Sequence, residues 1–277
     1  MRALPASVFA VCGLIASACG GTGSGGAAAG QAAPATAVQQ QAPAQRQATA
    51  KDGPTESKPL DGKVVVVDPG HNGGNWRDPA AINRKVNVLT KWKPCDTTGT
   101  ATNNGYSEAA FTWDVSTRLA KILRSRGATV KLTRTSNTGV GPCITERAAI
   151  GNEANADAAI SVHADGSASG HRGFHVIIPK KINGPVDKVV GKSNRLGLAV
   201  RDAFAEGTGL PYSTYIGRDA LIHRKDLGGL NLSTVPKVFI ESGNMRNAVE
   251  AAKFQDPKFR QKIAVALANG LQHYLEA

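Results

Sequence analysis

The sequence predicts an α/β domain built around a parallel sheet, and three observations support this prediction. Four consecutive valines at residues 64–67 are typical of a central strand buried on both faces, and Pro69 and Gly70 end it abruptly. The apolar residues of segment 107–134 have the periodicity of a helix followed by a strand, and these two elements complete a βαβ unit. A further buried strand is predicted at residues 158–163. Because such sheets bind ligands at the carboxyl ends of their strands, the residues there are candidates for function.

The amino terminus has the organisation of an export signal. A short basic start precedes an apolar run at residues 3–18, which is too short to anchor permanently in a bilayer. We assign residues 1–19 to a signal peptide and expect an exported protein of the cell envelope. Residues 16–20, Ala-Ser-Ala-Cys-Gly, resemble a bacterial lipobox, so Cys19 is a candidate lipid anchor at the outer face of the membrane. Cleavage nearby without lipidation, or an uncleaved anchor, is the alternative.

Residues 20–59 are predicted to form a disordered tether. They consist largely of Gly, Ala, Gln, Pro, Ser and Thr, with almost no large apolar side chain. Such a segment cannot bury enough surface to offset the entropy of ordering. The folded domain is therefore expected at residues 60–277.

The net charge of +12 comes from 33 Lys and Arg against 21 Asp and Glu. An excess of this size predicts attraction to polyanions. Nucleic acid is not an expected partner, because the sequence has no RNA-binding aromatic motif, no helix-turn-helix pattern and no dense basic run. An exported protein first meets anionic wall polymers and lipid headgroups, so we interpret the charge as affinity for the cell wall.

The four cysteines divide between the leader and the folded domain. Cys12 and Cys19 belong to the leader, which leaves Cys95 and Cys143. Export permits these two to form a disulfide, worth on the order of 4 kcal/mol in the loop-entropy model. The bond would hold down the long polar stretch at residues 72–106. Two free thiols or a metal site are the alternatives, although two isolated Cys make a poor zinc signature.

That polar stretch, residues 72–106, is long enough to suggest a functional rim, and it contains a predicted hairpin near residues 85–93. Ser107 is a good N-cap for the helix that follows. Glu108 lies in the first turn of this helix, where a carboxylate commonly serves only the helix dipole. Its position after the long loop could nevertheless bring Glu108 back to the edge where the first strand ends.

The remaining chain alternates between strands and helices. Arg147 lies in a predicted helix, and His175 lies in a predicted strand, where we interpret it as a hydrogen-bonded sheet histidine rather than a ligand. Residues 209–226 are predicted to be a polar, aromatic loop that either lines a groove or is solvent-exposed. The other predicted elements are strands at residues 128–134, 158–163, 173–179 and 236–240, and helices at residues 107–127, 144–155, 193–207, 247–254 and 257–275.

Three predicted strands lead into an ionisable side chain. His71 and His163 each lie where a buried strand gives way to a Gly-containing turn, and Glu241 directly follows the last strand. One histidine beside glycines is a weak signal, since a loop histidine can be without function. In a parallel sheet, however, these strand ends lie along one edge, so the two imidazoles are expected to converge.

His71, Glu108, His163 and Glu241 together offer two imidazoles and two carboxylates. Two His and one Glu form a catalytic zinc set that leaves the fourth position for water, whose pKa can fall from about 15.7 to about 7. The remaining carboxylate then has a role beside the metal. It can accept a proton during attack and deliver it to the leaving nitrogen.

At these residues the sequence resembles the zinc-dependent N-acetylmuramoyl-L-alanine amidases of the Amidase_3 type, in particular the small actinobacterial members with a disulfide and no separate wall-binding domain. The resemblance covers residues 62–275. Its matching parts are residues 66–71 (Val-Val-Asp-Pro-Gly-His), Glu108 at a helix start, Arg147 with residues 154–155, residues 161–165 (Ser-Val-His-Ala-Asp) and residues 236–245 (Pro-Lys-Val-Phe-Ile-Glu-Ser-Gly-Asn-Met).

The resemblance implies a twisted, mostly parallel sheet of about six strands with helices on both faces. It implies that His71, Glu108 and His163 bind one Zn²⁺ per chain and that Glu241 is the catalytic carboxylate. The implied reaction is hydrolysis of the amide bond between N-acetylmuramic acid and L-alanine of the peptidoglycan stem peptide. We expect a monomeric enzyme whose catalytic domain is residues 60–277.

Two other functions stay open at this point, namely a zinc peptidase that cuts within stem peptides and a non-catalytic wall-binding domain. A domain that only binds need not keep Glu241, so the complete four-residue set argues against the second. The sequence departs from the common family pattern at Asn72, Asp165 and Asn244, where Gly, Asn and Phe are frequent. None of these removes a ligand, so they concern the substrate groove and the preferred stem peptide rather than the reaction class.

Overall fold

The computed structural model describes residues 57–277. The predicted signal peptide, its lipobox and almost all of the predicted tether lie outside the described residues. Near the start of the described part, the Leu60 side chain is fully buried and its amide donates to the Arg126 carbonyl at 2.8 Å. No helix among residues 57–277 is both long and apolar enough to cross a bilayer.

Within residues 57–277, eight strands form one six-stranded sheet and one short hairpin. The strands are β1 (Val64–Pro69), β2 (Lys85–Asn87), β3 (Trp92–Pro94), β4 (Thr129–Leu132), β5 (Ala158–Asp165), β6 (His175–Pro179), β7 (Leu221–Arg224) and β8 (Lys237–Asn244). The large sheet has the order β4-β1-β5-β8-β6-β7, and β2 pairs with β3 as the predicted hairpin. Strands β4, β1, β5 and β8 are parallel, whereas β6 runs antiparallel to β8 and pairs in parallel with β7. The predicted six-stranded, mostly parallel sheet is confirmed.

The prediction of a loop throughout residues 209–226 is wrong, because this segment contains β7. The strand is only four residues long, Leu-Ile-His-Arg, and lies at the edge of the sheet with β6 as its sole neighbour. The central strands could be predicted from runs of consecutive apolar residues. A short edge strand with two polar residues has no such run.

Helices cover both faces of the sheet. They are α1 (Pro79–Asn83), α2 (Glu108–Ser125), α3 (Ile144–Glu153), α4 (Val190–Thr208), α5 (Gly228–Asn231), α6 (Ala248–Gln255) and α7 (Pro257–Glu276). Helices α2, α4 and α7 pack together on one face, and α3 and α5 lie on the other. The five longer helices were predicted within a few residues, whereas the short α1 and α5 were not. Ser107 caps α2 as expected, because its hydroxyl accepts from the Ala110 amide at 3.3 Å.

The main apolar core lies between the sheet and α2, α4 and α7. Its fully buried side chains include Phe111, Leu119, Leu196, Phe204 and Leu267. On the opposite face, residues 57–277 form two smaller apolar clusters, one with Val66, Ala159 and Val235 and one with Val86, Val88 and the Cys95–Cys143 pair. This face also holds buried polar and charged groups.

Cys95 and Cys143 form the predicted disulfide. Cys95 lies in the long polar segment after β3, and Cys143 is the N-cap of α3. The bond therefore fixes this segment against the start of α3, beside the carboxyl edge of the sheet.

Candidate metal centre

His71, Glu108 and His163 converge at the carboxyl edge of the sheet. His71 follows β1, Glu108 opens α2 and His163 lies in β5. His71 Nε2 lies 3.2 Å from Glu108 Oε2, and His163 Nδ1 lies 2.9 Å from Glu108 Oε1. One ligand atom from each residue falls within 4.8 Å of the other two. The three side chains predicted as metal ligands can therefore contact a single ion.

Two glycines make room for this cluster. Gly70 lies against the His163 ring so closely that any Cβ at this position would overlap the imidazole. Gly99 has a φ of +74°, and a Cβ there would lie 2.7 Å from both the Glu108 carboxylate and the His71 ring. His71 itself adopts a left-handed conformation with φ 58°, which turns the chain out of β1 towards the cleft. Small residues are thus required on both sides of the ligand cluster.

Hydrogen bonds from outside the ligand cluster orient two of its three side chains, His71 and Glu108. His71 Nδ1 lies 3.0 Å from the Thr97 carbonyl and 3.3 Å from the Asp96 carboxylate, which leaves Nε2 towards Glu108. Glu108 Oε2 accepts from the Thr100 amide at 2.9 Å. Such outer partners set the tautomer and orientation of a ligating histidine. Asp96 was not identified from the sequence, because only the folded loop brings it to His71.

A buried ionic network lies directly beneath the ligand cluster. The Arg147 guanidinium donates to Asp68 at 2.9 Å and Asp96 at 3.0 Å, and also to the His71 carbonyl at 2.9 Å. Asp68 also accepts from Lys237 Nζ at 3.0 Å. Burial alone would raise the pKa of Asp68, but the charges of Lys237 and Arg147 hold it well below the usual range. The network thus ties the end of β1, α3 and β8 to one another.

Asp68 and Lys237 are 1% and 2% exposed, and sequence analysis assigned neither of them a role. A carboxylate directly after four valines was the available signal, since a charge in a strand covered on both faces needs a partner. The identity of that partner depends on the strand order, in which only β5 separates β8 from β1, and on the packing of α3 against β1.

Glu241 lies inside β8, so the prediction that it directly follows the strand is wrong. The strand continues to Asn244 because pairing with β5 extends beyond Glu241. Glu241 is opposite His163 on one side and His175 on the other. Its Oε2 is buried and has no hydrogen-bond partner among residues 57–277. Burial raises the pKa of Glu241 well above the usual range, and the nearby negative charge of Glu108 adds to this effect.

His175 is a buried sheet histidine, and its atoms are not part of the ligand cluster. The expectation that it is hydrogen-bonded is wrong for one nitrogen, because Nδ1 has no partner among the described residues. Burial lowers the pKa of His175 to about 4, so the imidazole is neutral near pH 7.

The ligand cluster opens into a cleft of about 710 Å³. Trp76, Thr100, Arg224, Glu241 and Arg246 line it together with the three predicted ligands. The sequence predicts that residues 209–226 either line a groove or are exposed to solvent, and of this segment Arg224 lines the cleft.

The three departures from the family pattern all make specific contacts near this cleft. Asn72 is buried and donates to the Gly141 carbonyl at 2.9 Å. Asp165 accepts from the Tyr215 hydroxyl at 2.9 Å. Asn244 is fully buried, and its side chain forms hydrogen bonds with backbone groups of the segment after β5 and of the segment after β8. Each departure therefore shapes the surroundings of the cleft without occupying a ligand position.

The chemistry of the cluster fits a divalent metal such as zinc. Burial alone would lower the pKa of His71, but attraction by Glu108 and the hydrogen bond to Asp96 raise it to about 10. Burial would likewise raise the pKa of Glu108, but the two histidines hold it below the usual range. A cation between these groups would replace the proton on His71, so metal affinity should increase with pH. The unpartnered Glu241 carboxyl nearby provides a further acceptor in the same cleft.

Residues 65–273 match the Amidase_3 family, described as N-acetylmuramoyl-L-alanine amidase. The chain is 39% identical over 216 residues to the N-acetylmuramoyl-L-alanine amidase Rv3717 of Mycobacterium tuberculosis, which covers 77% of this chain and 87% of that protein.

Two solved structures are also similar. The N-acetylmuramyl-L-alanine amidase Ami1 of Mycobacterium smegmatis has a TM-score of 0.74 at 39% identity, covering 78% of this chain and 98% of that one. Ami1 of Mycobacterium abscessus has a TM-score of 0.73 at 42% identity, covering 78% of this chain and 100% of that one. The chain therefore belongs to the Amidase_3 family of N-acetylmuramoyl-L-alanine amidases.

Proposed function

We propose that the protein is a zinc-dependent peptidoglycan hydrolase that cleaves the amide bond between N-acetylmuramic acid and L-alanine of the stem peptide. The observation that carries the proposal is the convergence of two imidazoles and a carboxylate in an open cleft, with Glu241 beside them and outside the ligand set. Family membership supports the amidase reaction, and the donor set supports the metal.

His71, Glu108 and His163 would hold one Zn²⁺ per chain. When bound there, zinc would polarise the scissile carbonyl and lower the pKa of an attacking water. The Asp96 carboxylate and the Thr97 carbonyl hold the His71 ring through Nδ1, and the Thr100 amide holds the Glu108 carboxylate. These contacts keep His71 and Glu108 in place before substrate binds, which reduces reorganisation during the reaction.

Glu241 acts as the proton carrier in this mechanism. Its carboxylate accepts a proton from the attacking water and delivers that proton to the L-alanine nitrogen as the amide bond breaks. Burial and the charge of Glu108 raise its pKa, which makes Glu241 a stronger base than an exposed glutamate. The product on one side is the free stem peptide, and on the other the glycan keeps its lactyl carboxylate.

The site of action would be the cell envelope. The signal sequence predicted at residues 1–19 would export the chain, and residues 20–59 would tether the domain to a lipid at Cys19. The net charge of +12 would favour contact with anionic wall polymers. We further propose that the domain works as a monomer, since one chain supplies every residue of the site.

Two measurements test the proposal on purified protein. Mass spectrometry of digested peptidoglycan should show intact stem peptides that begin at L-alanine. Shortened stems would instead indicate a zinc peptidase, and unchanged peptidoglycan would indicate a wall-binding domain. Metal analysis should find about one zinc per chain, and chelation should abolish activity that zinc restores. Full activity of the metal-free protein would refute the zinc mechanism.

A further inference from the structure

Arg246 is a cation at the rim of the cleft without an acidic partner. It lines the cleft together with Glu241, and its side chain is exposed. Its guanidinium donates to the neutral Asn103 side chain at 3.1 Å. Within residues 57–277, no carboxylate lies within salt-bridge distance of Arg246. Its charge is therefore available to a ligand in the cleft.

The backbone that carries Arg246 is firmly held by Asn244, one of the departures from the common family pattern. The Asn244 Oδ1 accepts from the Arg246 amide at 2.9 Å and from the Ser167 amide at 3.0 Å. Its Nδ2 donates to the carbonyls of Ala168 and His171, both at 2.9 Å. A phenylalanine at this position could form none of these bonds. The asparagine thus fixes the position of Arg246 relative to the cleft.

The other arginine of the cleft differs in its charge balance. Arg224 forms two hydrogen bonds with the Asp226 carboxylate, at 2.8 and 2.7 Å. Asp165, an acidic residue that also lines the cleft, accepts from the Tyr215 hydroxyl and from the Gly166 amide. Arg246 is therefore the cleft arginine that remains free to bind an anion.

The position of Arg246 indicates which part of the substrate it would meet. It follows Glu241 by five residues, just beyond the end of β8 at Asn244. In the proposed mechanism Glu241 protonates the leaving nitrogen, so the departing peptide lies on the β8 side of the cleft. Each peptide bond uses one carboxyl group, so within the stem peptide a free carboxylate remains on residues that have a second carboxyl group, whereas the sugar next to the scissile bond is neutral. The first carboxylate beyond L-alanine belongs to the second stem residue, D-glutamate.

We propose that Arg246 is a specificity residue that binds the free α-carboxylate of the second stem residue. The enzyme consequently prefers acidic stem peptides to stems in which this group is a carboxamide. A guanidinium forms charge-assisted hydrogen bonds with a carboxylate. With a neutral carboxamide the attraction between opposite charges is absent, so the hydrogen bonds are weaker. This inference rests on the proposed amidase function.

The test compares two muramyl tripeptides that differ only in this group, an α-carboxylate or an α-carboxamide. The wild-type zinc enzyme should show roughly tenfold higher kcat/KM for the carboxylate, mainly through KM, and the ratio should fall with added salt. Arg246→Gln should reduce the ratio to within about twofold, and Arg246→Lys should keep part of it. Arg218→Gln is the matched control, because the Arg218 side chain is 96% exposed and outside the cleft; it should leave the ratio unchanged.

A binding measurement separates this inference from the function on which it rests. The same two tripeptides are titrated into the Glu241→Gln enzyme and its Glu241→Gln, Arg246→Gln derivative by calorimetry. If the carboxylate compound binds more tightly and this difference disappears with Arg246→Gln, the inference is supported. That support holds even if the wild-type enzyme hydrolyses neither compound, an outcome that would refute the amidase proposal alone. Equal turnover and equal binding of the two compounds by wild type, or a preference that survives Arg246→Gln, overturns the inference and leaves the amidase function intact.

Discussion

The two faces of the central sheet differ sharply in what they bury. The face under α2, α4 and α7 is apolar, and side chains such as Leu119 and Phe204 are fully enclosed there. The other face buries Asp68, Arg147 and Lys237 in one ionic network. Both faces are shielded from water, but the predicted metal ligands lie directly above the ionic one.

The difference follows from the nature of the two interactions. Burial of apolar surface is non-directional, so it stabilises the fold without specifying the position of an individual side chain. A buried charge needs partners at defined distances, and the loss of one partner leaves the other unpaired. The apolar face should therefore determine mainly stability, whereas the ionic face should determine mainly the geometry of the site.

The largest effect is expected at a predicted metal ligand. His163→Ala should abolish both zinc binding and amidase activity, because two of the three ligands cannot hold the ion in its catalytic geometry. The metal-free variant should melt within a few degrees of the metal-free wild type, since the apolar face is untouched. Retention of a full equivalent of zinc in His163→Ala would contradict the ligand assignment.

Glu241→Gln should be the next most damaging change for activity. The loss of a general acid–base group is expected to slow turnover by roughly 10²- to 10⁴-fold. Zinc content should stay near one per chain, because Glu241 lies outside the ligand cluster. Steady-state kinetics and metal analysis on the same sample provide the check. If the variant loses its zinc as His163→Ala does, Glu241 is a ligand and Glu108 becomes the rival proton carrier.

Arg147→Met and Leu119→Ala compare the two faces directly. Arg147→Met should destabilise the protein by about 3–5 kcal/mol, because it leaves Asp68 and Asp96 without their guanidinium. Leu119→Ala should cost a similar amount, about 2–5 kcal/mol, through a cavity in the apolar core. Chemical denaturation measures both values.

The two variants should differ in the activity of the molecules that remain folded. Arg147→Met should lower kcat, since Arg147 also holds the His71 carbonyl, whereas Leu119→Ala should leave kcat unchanged. Equal losses of kcat in the two variants would refute the division between the faces.

The smallest predicted effect concerns pH and His175. Its folded pKa of about 4 lies below the unfolded value of about 6.5, so protons bind preferentially to the unfolded chain. Its contribution to stability is therefore complete above pH 6.5 and is lost as the pH falls towards 4. Between pH 7 and pH 5 this loss should be about 2 kcal/mol.

The measurement is the free energy of unfolding of the metal-free protein at pH 7 and pH 5, for wild type and for His175→Phe. The variant should lack most of this pH dependence, because phenylalanine does not titrate. Identical pH slopes for the two proteins would show that His175 is not the group responsible.

The two faces also differ in how well the sequence predicted them. The valines of β1 and the apolar stripe of α2 identify a buried strand and a helix, because each pattern repeats within a few residues. The ionic network has no such local repeat. Lys237 and Asp68 are far apart in the sequence. They meet because β8 and β1 lie on either side of β5 in the sheet.

The sequence by itself determined the α/β class, the central strands, the longer helices and the convergence of His71 and His163. These features depend on local periodicity, or on residues at the ends of parallel strands, which share an edge in any such sheet. Only the tertiary structure decided that Glu241 lies inside β8, that residues 221–224 form an edge strand, and that Asp96 holds His71. It also left Arg246 at the cleft without an acidic partner among the residues that the structure describes. Those features depend on which strands are neighbours and on where long loops return, and these are properties of distant contacts that short-range patterns do not encode.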